Sequence, residues 1–96
     1  MNDLHSLNTK TNIWKFVVSE KDCPPPRANH SSAILNNKLY IFGGWDGNRR
    51  LNDLYQYDVP TNKWTELKPF SPPSARAGMC MASVDNKIYL FGGSGP

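Results

Sequence analysis

The chain has 96 residues and a mass of 10.8 kDa, which allows one small domain or part of a larger one. Its 39% apolar and 20% charged residues, with three Trp, four Tyr and four Phe, exclude a disordered chain. The net charge of +3 is spread out without a dense basic stripe, and no apolar run approaches the roughly 18–20 residues of a membrane span. The first residues, Met1-Asn2-Asp3-Leu4-His5, have neither the basic start nor the apolar stretch of a secretory signal. Cys23 and Cys80 lack a disulfide framework or metal-ligand spacing. The expectation is a cytoplasmic chain with free thiols and neither nucleic acid nor membrane as partner.

In chain order, the sequence opens on Asn2-Asp3-Leu4, followed by Thr11-Asn12-Ile13-Trp14 and a Pro24-Pro25-Pro26 loop. A weak strand is expected over 31–35, where Ser31, Ser32 and Ala33 are small. Asn36-Asn37 suits a tight hairpin, because Asn tolerates the left-handed conformation. Leu39-Tyr40-Ile41-Phe42 is a run of β-formers that ends in Gly43-Gly44. Both of its faces are apolar, so this strand must be covered on both sides. A polar loop, Trp45-Asp46-Gly47-Asn48-Arg49-Arg50, leads to strands over 54–58 and 64–67 with a turn at Pro60-Thr61-Asn62. Beyond Pro72-Pro73 come a strand over 79–84, an Asp85-Asn86 turn, and Ile88-Tyr89-Leu90-Phe91 ending in Gly92-Gly93. Eight prolines and seven glycines leave little room for long helices.

These elements repeat. Asn2-Asp3-Leu4 and Trp14 return fifty residues later as Asn52-Asp53-Leu54 and Trp64. Arg27-Ala28 and Asn37 to Gly44 return forty-nine residues later as Arg76-Ala77 and Asn86 to Gly93. The one-residue slip falls in the proline-rich stretches, where a change of length is tolerated. The unit is therefore about fifty residues long and holds four antiparallel strands.

The pattern resembles the kelch repeat. The resemblance rests on Gly43-Gly44 and Gly92-Gly93, on Tyr57 and Trp64 seven residues apart, and on the Arg that opens each repeat. Leu7 departs from it, standing where the family has Tyr. What the resemblance implies is an all-β fold: kelch-type β-propeller blades of four antiparallel strands, each with its first strand nearest the channel. The chain then divides into a half-blade of strands 3-4 (1–26), a complete blade (27–70) and a half-blade of strands 1-2 (71–96). Two blades' worth of strands cannot close a ring of about four to eight blades. Trp14, Trp64 and Tyr57 are expected to fill the wedge between blades, and Gly43 and Gly44 to let neighbouring backbone pass close.

No catalytic or metal-binding constellation emerges. His5 and His30 lack Cys or acidic companions at ligand spacing, and neither a nucleophile elbow nor a phosphate loop occurs. No cofactor is expected. The resemblance implies a non-catalytic protein-interaction module, in the manner of adaptor or scaffold propellers, and places the 45–50 loop at one mouth of the channel. Trp45, Asn48, Arg49 and Arg50, with Asn29 beside them, are the candidate partner-binding residues, since an aromatic next to guanidiniums suits an acidic or C-terminal peptide. Arg50 matches a ligand-binding position of some kelch adaptors, whereas Arg49 is chosen on chemistry alone. Two alternatives stand: the propeller part of an enzyme whose active residues lie outside this chain, and a module that self-associates head to tail to complete its half-blades.

Overall fold

The computed structural model describes residues 2–18 and 22–95, and all regular structure among them is β. Three antiparallel sheets follow one another along the chain. The first pairs β1 (Leu4–Asn8) with β2 (Ile13–Val17). The second has four strands in sequential order: β3 (Ser31–Leu35), β4 (Lys38–Trp45), β5 (Arg50–Asp58) and β6 (Lys63–Leu67). The third pairs β7 (Cys80–Val84) with β8 (Lys87–Phe91). This is one full kelch-type blade flanked by two half-blades, as the repeat pattern implies.

Local chemistry accounts for the hairpins. Asn36, Asn37, Asn62 and Asp85 all sit at positive φ, near 54–63°, in the turns that join consecutive strands. Asn62 also ties sheets together: its Oδ1 accepts the Tyr57 hydroxyl at 2.7 Å, and its Nδ2 donates to the Val18 carbonyl at 2.8 Å. Leu7, at Tyr57's place in the first half-blade, has no hydroxyl to offer.

The blade buries both of its faces, each against a different neighbour. On one, Tyr55, Tyr57 and Trp64 form the core with Leu39 and Ile41, and Leu4 and Val17 of the first half-blade pack onto them. The Tyr57 and Trp64 rings lie 4.9 Å apart and tilted, a geometry worth roughly 0.5–1.5 kcal/mol beyond area burial. On the other face, Phe42, Leu54, Met81, Ile88 and Leu90 line a shared cleft with the third sheet. Small residues on β3 permit this approach: Ser31 and Ala33 are both buried, and β3 runs beside β7.

The double glycine is required where blades meet. Gly43 (φ +68°) forms a bulge in the β4–β5 pairing, and a Cβ there would lie 2.7 Å from Met79 Cε and 2.8 Å from the Arg76 carbonyl oxygen. At Gly44 (φ +108°) a Cβ would meet the Ala28 carbonyl oxygen at 2.8 Å.

Two expectations need correction. Trp64 is 5% exposed and fills the wedge, but Trp14, at the same repeat position, is 65% exposed. Among the described residues no sheet lies against the face of the first half-blade that carries Trp14. Trp45 and Arg50 are not loop residues either. They end β4 and begin β5 as a cross-strand pair, because Ala28 continues the ladder beside Trp45 with mutual 2.8 Å hydrogen bonds.

Trp64→Ala should therefore cost about 3–5 kcal/mol, the range for emptying a large aromatic site. Trp14→Ala should cost no more than about 1 kcal/mol, and exposed Arg49→Ala no more than about 0.5. Gly44→Val should be severe through strain and clash. Urea unfolding of the four variants checks the order, and a larger loss for Trp14→Ala than for Trp64→Ala would contradict this packing.

Candidate functional site

The end of the blade that carries the β4–β5 connection is built around two arginines in opposite circumstances. Arg27 is buried, its side chain 3% exposed. Nη1 and Nη2 hold the two carboxylate oxygens of Asp53 at 2.6 and 2.9 Å. Nη1 also donates to the Gly43 carbonyl at 3.0 Å, Nε donates to the Pro25 carbonyl at 3.2 Å, and the guanidinium lies 5.5 Å from the Tyr55 ring centroid. Such a cation is tolerated in a core only because paired charge and carbonyls replace its water. The clasp joins the start of the repeat to the β4 bulge and to β5. Sequence alone marked Arg27 as a repeat signature without giving its partner; the recurring Asn-Asp-Leu carried that signal.

Arg50 is only half-buried and far less satisfied. Its guanidinium stacks over the Trp45 ring at 5.5 Å, one Nη2 contact reaches Ser94 Oγ at 3.4 Å, and Nε is shielded with no partner among the described residues. Trp45 itself is partly open to solvent. Between the two, the turn is held by Asp46, whose Oδ1 accepts the backbone N–H groups of Arg49 at 2.8 Å and Asn48 at 2.9 Å. Those bonds, the Arg49 one first, hold the Asp46 carboxyl below its ordinary value of 3.8.

Of the sequence-predicted residues, Trp45 and Arg50 are in direct contact. Asn29 adjoins Ala28, Trp45's ladder partner, and its carbonyl accepts the Gly78 N–H at 2.9 Å from the next repeat. Asn48 and Arg49 lie at the exposed tip of the turn, where their backbone N–H groups bond Asp46. His30 lies where burial, then the charge of Arg27, pushes its pKa down, so the ring is neutral near pH 7. Among the described residues no group of three or more His, Cys, Asp or Glu is placed to hold a metal.

Comparison with known proteins agrees with this architecture. The family model described as "KLHDC2/KLHL20/DRC7 Kelch-repeats domain" matches residues 1–96. Kelch domain-containing protein 2 of Bos taurus is 39% identical over 66 residues, covering 69% of this chain and 16% of that protein. Kelch domain-containing protein 1 of Mus musculus is 43% identical over 65 residues, 67% of this chain and 16% of its own length. Tip elongation aberrant protein 1 of Schizosaccharomyces pombe is 46% identical over 55 residues, 57% of this chain and 5% of its own. The chain thus spans about a sixth or less of these relatives. It belongs to the kelch-repeat family.

Two outcomes follow from the geometry. Asp53→Ala strands a buried guanidinium and should destabilise by about 3 kcal/mol, measured by urea unfolding; a loss below about 1 would remove the clasp from the core. The second concerns Asp46. Its folded-state pKa is depressed, so the turn's support is fully present above pH 3.8 and lost as pH falls through the lowered value. NMR amide shifts of Asn48 and Arg49 should titrate with a midpoint below 3.8, and a midpoint above it would refute the turn.

Proposed function

We propose that this kelch chain supplies one blade and two half-blades to a non-catalytic propeller that binds a protein segment at the end carrying Trp45 and Arg50. Kelch repeats mediate protein–protein interaction, and the chain's family membership supports that general role. In the finer proposal the segment bears carboxylates, and the propeller is the substrate-recognition or scaffold part of a larger cytoplasmic adaptor.

One observation carries the choice of surface. Arg50 is held against an aromatic ring, yet among the described residues its donors meet only one long hydroxyl contact and Nε meets none. A guanidinium has five N–H donors in a planar fork that fits a carboxylate. Fixed in advance by Trp45 and half-removed from water, it costs little entropy to engage and interacts more strongly than a solvated charge. Arg49, exposed at the turn's tip, contributes long-range attraction instead.

A second reading is favoured by the half-blades, whose apolar positions stand open: head-to-tail association of chains would cover them. Phe91 is 84% exposed, whereas its repeat equivalent Phe42 is 4% exposed.

The binding surface is tested by fluorescence anisotropy with a labelled Glu-rich peptide and its Gln-substituted counterpart. The acidic peptide should bind more tightly, and added salt should weaken it. Arg50→Ala should reduce affinity by roughly tenfold or more without lowering the melting temperature, and Arg49→Ala by less. Equal affinity for both peptides, or no effect of Arg50→Ala and Trp45→Ala, would place recognition elsewhere.

A further inference from the structure

We infer that Ser71 is a phosphoacceptor for a proline-directed Ser/Thr kinase, and that its phosphate weakens capture of an acidic segment at the Trp45–Arg50 end. The second half rests on the binding surface proposed above.

Among the Ser and Thr residues of this sequence, Ser71 alone is followed by Pro. It lies in the 68–75 crossover from β6 to β7, where Pro69, Pro72 and Pro73 supply no N–H for a ladder. Among the described residues the crossover is tied down only beyond Ser71. Asn52 Nδ2 donates to the Pro73 carbonyl at 3.3 Å, and Arg76 donates to the Ser74 carbonyl and hydroxyl at 3.1 and 2.9 Å.

The preceding repeat supplies a control. Forty-nine residues earlier the same position is Asp22, and both residues are exposed with left-handed backbone, φ 63° at Asp22 and 56° at Ser71. Asp22's crossover leads into the complete blade, all four strands of which are in place. Exposure is thus a property of the crossover itself, and the fold already carries an anion at this position. Ser71 differs in preceding a proline, which pushes the residue before it toward extended backbone, so its left-handed conformation is strained. Opening the loop tip into the extended form that a kinase cleft takes relieves that strain without breaking a hydrogen bond among the described residues.

The transfer is ordinary phosphoryl chemistry. Ser71 Oγ attacks the γ-phosphorus of Mg-ATP, the new O–P bond forms, and the bond to the β,γ-bridging oxygen breaks, so that ADP leaves with the electron pair. The hydroxyl proton passes to the kinase's catalytic carboxylate. A neutral hydroxyl thereby becomes a group of about −1.5 to −2 charge at pH 7.

That charge arises beside the binding end. β6 finishes opposite Leu54, so the crossover leaves the sheet on the Arg50 side of β5. Ala75 lines one cleft together with Arg49, Arg50 and Asp53. An extended segment advances about 3.3 Å per residue, so six residues seated at Arg50 span roughly 20 Å and bring further carboxylates to the crossover. Like charges then oppose one another, most strongly at low salt. Lys68 offsets little of this, since Glu66 already sits 3.3 Å from its ammonium.

The chain is incubated with a purified proline-directed Ser/Thr kinase and Mg-ATP, and the phosphate is located by tandem mass spectrometry. It should lie on Ser71, vanish in Ser71→Ala and persist in Ser74→Ala. The initial rate should fall within about tenfold of that for a synthetic peptide of residues 66–77. No phosphate on Ser71, or a rate about a hundredfold below the peptide's, would overturn the acceptor site. Fluorescence anisotropy then compares phosphorylated and unmodified chain. The labelled Glu-rich peptide should bind the phosphorylated form about threefold or more weakly at low ionic strength, with the gap closing as salt is added and no gap for the Gln-substituted peptide. Equal affinity of both forms, with Arg50→Ala still weakening binding, would overturn the regulation and leave the surface standing. An Arg50→Ala chain that binds as wild type would overturn the surface and the regulation together, and the mass spectrum would still decide the acceptor site.

Discussion

The blade depends on one buried cation. Arg27 replaces its lost hydration with a two-point carboxylate, two backbone carbonyls and the face of Tyr55. The pair is costly to bury and costly to break, so its value lies less in net stability than in geometry. To reach Arg27, the Gly43 carbonyl must turn out of the β4 ladder, which a bulge at positive φ provides. Through that bulge the next repeat gains its seat: the Gly44 N–H bonds the Arg76 carbonyl, and the Arg76 N–H bonds the Leu51 carbonyl, each at 3.0 Å. Thus the clasp of one repeat shapes the backbone slot in which the next repeat's clasp residue is held.

The repeats act as controls for one another. Phe42 and Phe91, or Trp64 and Trp14, share residue type and repeat position and differ in what covers them, a neighbouring sheet for Trp64 and both a neighbouring sheet and the adjoining β5 for Phe42. Burial of a large aromatic, on the order of 25 cal/mol per Å², is realised in one member of each pair and forfeited in the other. Most of the blade's stability therefore comes from its neighbours and little from intrinsic strand preference, as expected of nearest-neighbour repeat architectures.

This division explains what was legible in the sequence. Strand positions and hairpins rest on local chemistry, such as β-formers ending at paired glycines and Asn or Asp where φ must be positive. Those are set by residues within a few positions of one another. The exposure of Trp14 is not, because it depends on which sheet lies beside a face rather than on the residue. The extension of β4 to Trp45 and of β5 back to Arg50 was hidden for a similar reason, since the partner that completes the ladder, Ala28, lies seventeen residues away in sequence. The Arg27–Asp53 pair lay between these cases. Both residues recurred at repeat positions, but two charges twenty-six residues apart look like solvated surface until the fold closes around them.

The same side chain is thus used in two ways within one blade. Arg27 is buried, with Asp53, two carbonyls and an aromatic face around it, so disturbing it would disturb the fold. Arg50 has an aromatic face and one long hydroxyl contact, and the connection beside it is closed by Asp46 without drawing on the core. On the proposed reading, substitution at the Asp46–Arg49 turn therefore alters the binding end of the blade while the clasp, the bulge and the inter-blade packing stay in place. In the proposed reading, recognition belongs with Arg50, whose donors meet one long contact among the described residues, because Arg27 is already committed to holding the blade together.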